Sequence, residues 1–473
     1  MVEVARVEPG SFRDRDSRVV VAPDAVYRAL SGTGADDWRA LAGSPLLERL
    51  TGQGSLIGTE EVGRAALGNG AAEILPEGTE TVLRHERVPF VSYPYEWTFG
   101  MLRDAALLQL DLELEALEEG LTLKDATPYN VQFRGAQPVF IDVGSFERLR
   151  EGEPWAGYRQ FCMLFLYPLL IQAYKDVPFQ PWLRGAIDGI TPSQAASLFS
   201  LRDRFRRGVL THVALHARLE RRYESREGGE VKEELRKANF KPELIKANVR
   251  RLRKLVSKLT WKAGETAWTS YRQQNTYSDA DAERKASFVR EAATATRASL
   301  TWDMGCNDGA YSRIAAEHSG RVVAFDYDQA TVDALYRALR GEGEQRILPL
   351  VANLADPSPG LGWRGLERRP LESRGAPDLV LALALIHHVS ITANVPIAEF
   401  LDWLHELDAT LVIEFPKRDD PMVRRLLSGK REGSNADYEL ETFERLLGER
   451  FDVQRSEPLP SGSRVLYRAQ PRA

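Results

Sequence analysis

A short glycine-containing loop in the C-terminal third of the chain has the residues needed to hold a small ligand. Asp303, Gly305, Asn307 and Gly309 follow an apolar run and precede a helical pattern. Glycines at such a place let the backbone turn tightly and approach a ligand closely. Asp326 ends the next apolar run, where its carboxylate could accept hydrogen bonds from both hydroxyls of a ribose. Together they predict a site for a ribose-containing cofactor.

The loop departs from the pattern that binds dinucleotides. Asn307 stands where the middle glycine of Gly-x-Gly-x-x-Gly belongs, and no third glycine follows. A pyrophosphate on the helix N-terminus is therefore not expected. An amide side chain tolerates the left-handed backbone that a tight turn needs, so we expect the loop to keep its shape. The spacing disfavours a nicotinamide cofactor and favours S-adenosylmethionine.

Candidate catalytic side chains follow two later apolar runs. His387 and His388 come after the fourth run, and Glu414 ends the fifth. Parallel strands end at one edge of an α/β sheet, where ligands bind. A histidine there could take a proton from an acceptor, and Glu414 could position its hydroxyl or amine. The alternatives are that at least one histidine packs or caps the strand and that Glu414 is a solvated strand end.

The pattern around these residues predicts an α/β domain. From Leu300 onward, short apolar runs alternate with helical periodicity, which is typical of a parallel sheet covered by helices on both faces. The last segment, from Phe451 to Ala469, has two β-rich runs joined by a Pro/Gly/Ser turn with no helix between them. It predicts an antiparallel hairpin at the sheet edge.

These motifs resemble those of class I S-adenosylmethionine-dependent methyltransferases. The resemblance implies a Rossmann-like, seven-stranded sheet, in which Asp303, Gly305 and Gly309 hold the methionine end of the cofactor and Asp326 holds its ribose. By the same resemblance Asn353 and Leu354 border the adenine, and Ala384 or Leu385 lines the pocket. The predicted cofactor residues are completed by Asn307, Tyr327 and Tyr277.

Two features concern the acceptor. No Asn-Pro-Pro-Tyr-like segment follows the fourth run, where methyltransferases that act on planar nitrogens carry one, so an oxygen acceptor is favoured. An aromatic and polar cluster precedes the cofactor loop, in a position that often supplies a lid in this superfamily, with core packing as the alternative. The cluster consists of Trp268, Tyr271, Asn275, Tyr277 and Lys285.

The C-terminal region also resembles host-specific nodulation proteins of rhizobia. The resemblance is carried by the segments from Asn353 to Pro359, Gly362-Trp363, the histidine pair and Glu414-Phe415-Pro416. It runs from about Trp268 to the C-terminus. Membership would imply methyltransferase activity and leaves the acceptor open.

A second set of polar residues lies in the N-terminal half. Asp125, Asn130 and Asp142 are spaced like the catalytic loop and metal-binding strand of kinase-like and aminoglycoside-phosphotransferase-like folds. In such folds they would orient a hydroxyl and hold magnesium with ATP. No lysine precedes Lys124, so the lysine that grips nucleotide phosphates is missing, with Arg84 as a candidate substitute. We interpret this half as a degenerate α+β kinase-like domain that binds the acceptor or a partner.

Length and composition indicate the number of domains, the class of partner and the location of the protein. A chain of 473 residues is longer than a single hydrophobic core usually supports. The polar stretch from Glu224 to Glu234 predicts a division into domains at 1–228 and 229–473, with a helical lead-in at 235–298. The net charge of -5 provides no general field for nucleic acid. Cys162 and Cys306 fit a reducing compartment, and the longest apolar stretch is too short to span a bilayer. We expect a cytoplasmic protein with no nucleic-acid partner, no membrane span and no resident metal.

Three functions stay open. The first is methylation of a small-molecule or glycan hydroxyl, and the second is a bifunctional kinase and methyltransferase acting on a glycan or lipid-linked acceptor. The third is a non-catalytic scaffold in which both halves have decayed. The first is preferred because the cofactor loop and the second acidic residue occur together, whereas the kinase-like half lacks its lysine.

Overall fold

Two separate sheets organise the chain in the computed structural model, which describes residues 5–22, 25–67, 74–223, 240–263, 278–431 and 433–472. The first sheet is antiparallel, with strand order β1-β2-β3-β5-β4. Its strands are β1 (Arg6–Val7), β2 (Ser17–Val21), β3 (Val26–Leu30), β4 (Thr59–Val62) and β5 (Thr81–His85). Helices α1 (Gly32–Ala42) and α2 (Pro45–Gly52) lie between β3 and β4.

A long central helix, α3 (Phe99–Glu118), follows this sheet. The Thr98 hydroxyl caps it by accepting a hydrogen bond from the Met101 amide. Two small antiparallel pairs come next, β6 with β9 and β7 with β8. Their strands are β6 (Leu121–Leu123), β7 (Val131–Arg134), β8 (Gln137–Phe140) and β9 (Phe146–Arg148). The buried Glu113 of α3 fixes this region, because its carboxylate accepts hydrogen bonds from the Leu123 amide and the Thr122 hydroxyl.

Helices complete the N-terminal half and lead into the second sheet. The helices are α4 (Tyr158–Phe161), α5 (Tyr167–Lys175), α6 (Gln180–Gly185), α7 (Pro192–Leu198), α8 (Leu215–Tyr223), α9 (Pro242–Val256) and α10 (Asp279–Thr296). Helices α9 and α10 lie within the predicted helical lead-in. The predicted boundary stretch, from Glu224 to Glu234, lies outside the described residues.

The second sheet has seven strands in the order β12-β11-β10-β13-β14-β16-β15. The strands are β10 (Leu300–Met304), β11 (Arg321–Asp326), β12 (Ile347–Val351), β13 (Leu379–Ala382), β14 (Thr410–Pro416), β15 (Phe451–Pro458) and β16 (Arg464–Pro471). Strands β10 to β14 pair in parallel, and β16 pairs antiparallel to β14 and β15. The predicted parallel α/β sheet with a terminal hairpin is confirmed.

Five helices accompany this sheet, and its strand order places the ligand crevice. They are α11 (Ala310–Ala316), α12 (Gln329–Glu342), α13 (Ile397–Glu406), α14 (Pro421–Ser428) and α15 (Leu440–Arg450). Because the chain order reverses between β10 and β13, a crevice opens at the carboxyl ends of these strands, where open α/β sheets bind ligands.

The two halves share an apolar contact beneath the seven-stranded sheet. The Phe90 ring meets the rings of Trp302 and Phe325 edge-on, with both centroid distances at 6.1 Å. Phe133 packs edge-on against Tyr336 of α12 in the same way. These buried aromatic pairs join the N-terminal half to the sheet. Within the described ranges, no helix has the length and apolar character required to cross a membrane.

Candidate active site

The glycine-containing loop adopts the backbone that its sequence requires. Gly305 and Gly309 have φ angles of 84° and 78°, and Asn307 has a φ of 49°. The left-handed backbone expected at Asn307 is therefore confirmed. The positive φ of Gly309 favours glycine, and a Cβ atom there would also lie 2.7 Å from a methyl carbon of Leu335 in α12.

Asp326 ties the loop to the end of the neighbouring strand. One of its carboxylate oxygens accepts a hydrogen bond from the Asn307 amide at 2.8 Å. The other oxygen accepts one from the Asp328 amide at 3.0 Å. A carboxylate has about four acceptor positions, so two stay available for a ligand. Burial raises the pKa of Asp326, although these backbone hydrogen bonds oppose the shift.

A cavity of about 470 Å³ opens beside this loop at the carboxyl edge of the sheet. Four short stretches form its walls, one after each of β10, β11, β12 and β13. These stretches are residues 305–308, 326–328, 352–355 and 383–385. Of the predicted cofactor residues, the structure brings Gly305, Asn307, Asp326, Tyr327, Asn353 and Leu354 together on the walls. The predicted Tyr277 lies outside the described residues, as do Trp268, Tyr271 and Asn275.

The walls of the cavity are acidic. The carboxylates of Asp308, Asp326 and Asp328 line it. Lys285 is the one lysine or arginine among the described residues that line it, and its side-chain nitrogen pairs with Glu414 at 2.6 Å. Burial lowers the pKa of Lys285, although the charge of Glu414 opposes the shift. This balance attracts a cationic ligand and disfavours a phosphate group.

Asp303 lies beneath the cavity and not on its described walls. Its side chain is buried and accepts a hydrogen bond from the Ser312 hydroxyl at 2.5 Å. Burial raises the pKa of Asp303 to about 6, against the Ser312 hydrogen bond and the charge of Lys285. Gly309 likewise sits behind the loop, at the start of α11. The structure therefore gives both residues positions that shape the loop from behind.

The two histidines after β13 differ in exposure to the cavity. His388 lines the cavity beside Val389, at the start of a π-helical turn over His388–Thr392. Burial lowers the pKa of His388 to about 4, with a further contribution from Arg464, so its imidazole is neutral at pH 7. His387 is fully buried and packs against His388, with 4.2 Å between the ring centroids and a tilt of 43° between the ring planes. In the described part of the chain neither ring nitrogen of His387 has a hydrogen-bond partner.

Glu414 lies in a buried network of charges below the cavity. Its carboxylate pairs with Lys285 at 2.6 Å and with Arg464 at 3.0 Å, and Arg464 also pairs with Asp420 at 2.7 Å. All four side chains are at most 3% exposed. Burial alone would raise the pKa of Glu414, but the two cations outweigh it and the pKa is lowered. The structure thus places Glu414 among buried ion pairs and not on the described cavity walls, so it is not a solvated strand end.

The N-terminal half braces the cavity wall that follows β12. Arg184 of α6 forms a bidentate ion pair with Asp356, with both N···O distances at 2.9 Å. Asp356 directly follows wall residue Ala355. Two residues further on, the Ser358 hydroxyl donates to the Glu96 carboxylate at 2.7 Å. Glu96 is itself paired with the fully buried Arg374 at 2.6 Å. Side chains of one half therefore hold a wall of the cavity in the other.

Asp142 and Asn130 of the N-terminal polar cluster have partners within the protein. Asp142 pairs with Arg28 of β3 at 2.9 Å and accepts a hydrogen bond from the Ser145 hydroxyl at 2.6 Å. The Asn130 amide donates to Ser145 at 2.9 Å. Burial opposes the charge of Asp142, but the charge of Arg28, the Ser145 hydrogen bond and the charge of Lys124 together outweigh it, so the pKa is lowered. Asp125 has a raised pKa, through burial and then through the charge of Asp142.

The cation beside this cluster is not Arg84. Arg84 points to the other side of the first sheet and pairs with Glu60 at 2.9 Å. The position near Asp142 is filled by Arg28 instead. Above the cluster, the Arg368 guanidinium of the C-terminal half lies 3.8 Å from the centre of the Tyr129 ring. The loop from Asp125 to Asn130 is therefore in contact with the C-terminal half.

Comparison with known proteins identifies the family. No protein-family model matches the chain. The curated protein "Nodulation protein NoeA" of Rhizobium meliloti (strain 1021) is 32% identical over 464 residues, which cover 97% of this chain and 94% of that protein. The chain belongs to the NoeA family. The match spans both halves of this chain.

Solved structures align with part of the chain. The N-methyltransferase NodS of Bradyrhizobium japonicum WM9 is 12% identical, with coverage of 41% of this chain and 98% of that chain and a TM-score of 0.31. The magnesium protoporphyrin IX methyltransferase ChlM of Synechocystis PCC 6803, with bound S-adenosylmethionine, is 17% identical, with coverage of 44% and 86% and a TM-score of 0.29. The α/β architecture of the seven-stranded sheet in this NoeA-family chain follows from the order of its own strands.

Some residues of the site were not predicted as such. Tyr311 and Thr331 line the cavity from α11 and α12, and Thr392 lines it from the π-helical turn. Lys285 was predicted only as part of an aromatic cluster. A lysine among apolar residues at helical spacing, as in Lys285, Phe288 and Val289, is the one local signal that a charge is buried.

Proposed function

We propose that this NoeA-family protein is an S-adenosylmethionine-dependent methyltransferase that acts on a hydroxyl group of a small molecule or glycan. The observation that carries the proposal is the acidic cavity around the glycine-containing loop. Asp326 is anchored to the backbone of that loop and keeps acceptor positions for two ribose hydroxyls. The neighbouring carboxylates of Asp308 and Asp328 suit a ligand that carries positive charge.

The cavity fits the cofactor in size and in the type of its walls. Its volume of about 470 Å³ lies within the usual range for small-molecule sites. Leu354 and Ala355 supply an apolar surface for a purine after β12, while Asn353 adds polar groups beside it. Tyr327 is 65% exposed at the rim, where its ring can cover a flat ligand. Asp303 would reach the methionine end only through the loop that it supports.

The residues of the chain can orient an acceptor and accept its proton. When bound, S-adenosylmethionine supplies a methyl group on a positively charged sulfur. His388 faces the same cavity and is neutral at pH 7, so its imidazole can accept a hydrogen bond from an acceptor hydroxyl and then its proton. His387, which is buried below, packs against the His388 ring. We therefore assign the proton-accepting role to His388 and a packing role to His387 and Glu414.

The choice of oxygen as the methylated atom is part of the proposal. It is supported by the absence of an Asn-Pro-Pro-Tyr-like segment after β13, where the sequence is Leu383-Ala384-Leu385-Ile386. Ala384 has a φ of 50° on the cavity wall, a strained conformation for a residue with a side chain. Its small methyl group leaves room for the acceptor. The buried, unpaired Cys162 and Cys306 fit a reducing compartment, so the proposed location is the cytoplasm.

A direct experiment tests the proposed function in two steps. Titration calorimetry with S-adenosylhomocysteine should show binding at one site per chain. Incubation with methyl-labelled S-adenosylmethionine and a panel of alcohols, phenols and glycans should then transfer label to a hydroxyl. Absence of binding to the purified full-length protein would refute the proposal. Transfer of label to an amine alone would refute the oxygen assignment and leave the methyltransferase in place.

Replacing His388 by alanine should lower kcat about 100-fold, because loss of a positioned proton acceptor typically costs at least that factor. The dissociation constant of S-adenosylhomocysteine should change by less than about threefold, since the change of roughly 0.7 kcal/mol is the size of one packing contact. The measurements are steady-state kinetics with any acceptor found above, and calorimetry. The matched control is His405→Ala, which removes a half-buried histidine in the last turn of α13 that does not line the cavity. Equal loss in both variants would contradict the role of His388.

Replacing Arg184 by alanine should weaken binding of S-adenosylhomocysteine about fivefold, because a partly exposed bidentate pair contributes about 1 kcal/mol. The expected cause is greater mobility of the wall after β12, so amide hydrogen exchange of residues 352–358 should speed up in the ligand-free protein. The control is Arg13→Ala, which removes a similar bidentate pair with Glu367 farther along the same connection. If both variants bind alike, the bracing by Arg184 has no effect on the cavity.

A further inference from the structure

A loop of the N-terminal half presents apolar side chains to solvent between arginines. Phe205 is 92% exposed and Leu201 is 71% exposed, and both lie around the short 3-10 helix Arg202–Phe205. Arg202 and Arg204 occupy alternate positions beside them and are also exposed. Large apolar side chains are rarely this exposed, and these two, four residues apart in sequence, form a small exposed apolar patch.

The loop is held firmly, so the exposure of Phe205 is imposed by the fold. The buried Asp203 accepts hydrogen bonds from the Lys175 ammonium group at 2.5 Å and from both the amide and the hydroxyl of Ser200 at 2.7 Å. On the other side, Gly208 has a φ of 83° and lies so close to α9 that a Cβ atom would approach a methyl carbon of Leu255 to 2.5 Å. Both ends of the loop are thereby fixed against neighbouring helices.

Three more leucines are exposed on the helical segment that directly follows this loop. Leu210, Leu215 and Leu219 are 49%, 45% and 47% exposed. Residues Val209–Ala214 form a π-helical turn that runs into α8. The wider turn places Leu210 and Leu215 on one face, and Leu219 follows one α-helical turn later. We name Leu201, Arg202, Arg204, Phe205, Leu210, Leu215 and Leu219 the basic apolar surface.

Positive charge surrounds this surface although the whole chain is acidic. Residues 198–223 contain seven arginines and two carboxylates, against a net charge of -5 for the chain. Asp203 is buried, and Glu220 pairs with Arg159. Arg251 of α9 and Lys258, which follows the end of that helix, lie four residues before and three residues after Leu255, and both are exposed. Leu255 itself faces Gly208. The field at this surface therefore attracts anions.

We propose that the basic apolar surface binds the headgroup layer of an anionic lipid membrane. Phe205 and Leu201 enter the boundary between headgroups and acyl chains, and the arginines lie against lipid phosphates. Nucleic acid would use the arginines but would leave the protruding leucines in water. An acidic protein would need a complementary groove for Phe205. A membrane surface can bind both the exposed apolar side chains and the arginines without a complementary groove. Attachment of this kind needs no helix that spans the membrane.

Co-sedimentation of the full-length protein with lipid vesicles tests the proposal. The protein should bind vesicles of phosphatidylcholine mixed with phosphatidylglycerol and not vesicles of phosphatidylcholine alone, and added salt should weaken the binding. Phe205→Ser should lower the partition coefficient about tenfold, since one buried aromatic side chain contributes about that factor. Arg202→Glu combined with Arg204→Glu should lower it at least about tenfold by repulsion from the anionic surface.

The control variant is Val453→Ser, which removes an exposed apolar side chain from the edge strand β15. It should bind vesicles like the unmodified protein. All substituted side chains are exposed, so thermal unfolding should be unchanged and a loss of binding cannot come from misfolding. The proposal is overturned if neither vesicle binds the protein, if both bind it equally, or if Phe205→Ser binds like Val453→Ser. It is also overturned if single-stranded DNA displaces the vesicles and Phe205→Ser leaves both affinities intact.

Discussion

Replacement of Asp326 by alanine should raise the dissociation constant of S-adenosylhomocysteine about 1,000-fold. The carboxylate has two acceptor positions left for ribose hydroxyls, and hydrogen bonds to a charged group contribute about 2 kcal/mol each. Their joint loss corresponds to about 4 kcal/mol, or roughly three powers of ten in affinity. The substitution also frees the amides of Asn307 and Asp328, which Asp326 holds in place. Calorimetry with the purified variant measures the effect.

Two further variants separate ligand contact from loop support. Asp326→Asn keeps one oxygen acceptor for the loop amides and should retain the fold of the loop, but it should still bind at least about tenfold more weakly because the charge is gone. The control variant is Asp452→Ala, which removes an exposed aspartate of the edge strand β15 that pairs with Arg472. This variant should bind S-adenosylhomocysteine normally. If the dissociation constant of Asp326→Ala for S-adenosylhomocysteine is within threefold of that of the unmodified protein, Asp326 does not bind the ribose.

The parts of the fold that local sequence decides could be predicted. The parallel strands were predictable because each is an apolar run bounded by a turn, and the run repeats with helices between. The shape of the cofactor loop was predictable for a similar reason. Asn307 has a φ of 49°, a left-handed conformation in which asparagine is enriched, so the residue type itself indicates the turn.

The roles of adjacent or distant side chains could not be predicted in this way. His387 and His388 are neighbours in sequence, yet only His388 reaches the cavity, because the π-helical turn that begins there decides the direction of each ring. Glu414 ends a strand, which is compatible with solvent, a ligand or an ion pair. Its partners Lys285 and Arg464 come from a helix before the sheet and from the last strand, so no local pattern contains the pair.

The cation that pairs with Asp142 in the N-terminal half could not be predicted for a different reason. In the first sheet Arg84 is the register partner of Tyr27, so both side chains point to one face. Arg28 is the next residue along β3 and points to the opposite face, where Asp142 lies. Choosing between Arg28 and Arg84 requires the strand register, which a single sequence does not contain. The placement of Arg28 also gives Asp142 a protein partner in the position that a kinase-like site would give to a metal.

Replacement of Glu414 by glutamine should lower the free energy of unfolding by about 4 kcal/mol, because it leaves the buried Lys285 without its counter-charge. A neutral amide can still accept one hydrogen bond, but the ammonium group stays 2% exposed, where its desolvation is uncompensated. Urea unfolding followed by circular dichroism measures the loss. Ligand binding by the fraction that remains folded should be nearly normal, since Glu414 does not lie on the described cavity walls.

A double variant tests whether the charges serve structure alone. Lys285→Met together with Glu414→Leu replaces both partners by apolar side chains of similar volume, and such replacements of buried ion pairs are often neutral. Arg464 would keep its pair with Asp420. Stability should therefore return to within about 1 kcal/mol of the unmodified protein, whereas the single variant stays weak. A stable double variant that binds S-adenosylhomocysteine normally yet transfers no methyl group would show that Glu414 or Lys285 takes part in the reaction, against the packing role assigned to Glu414.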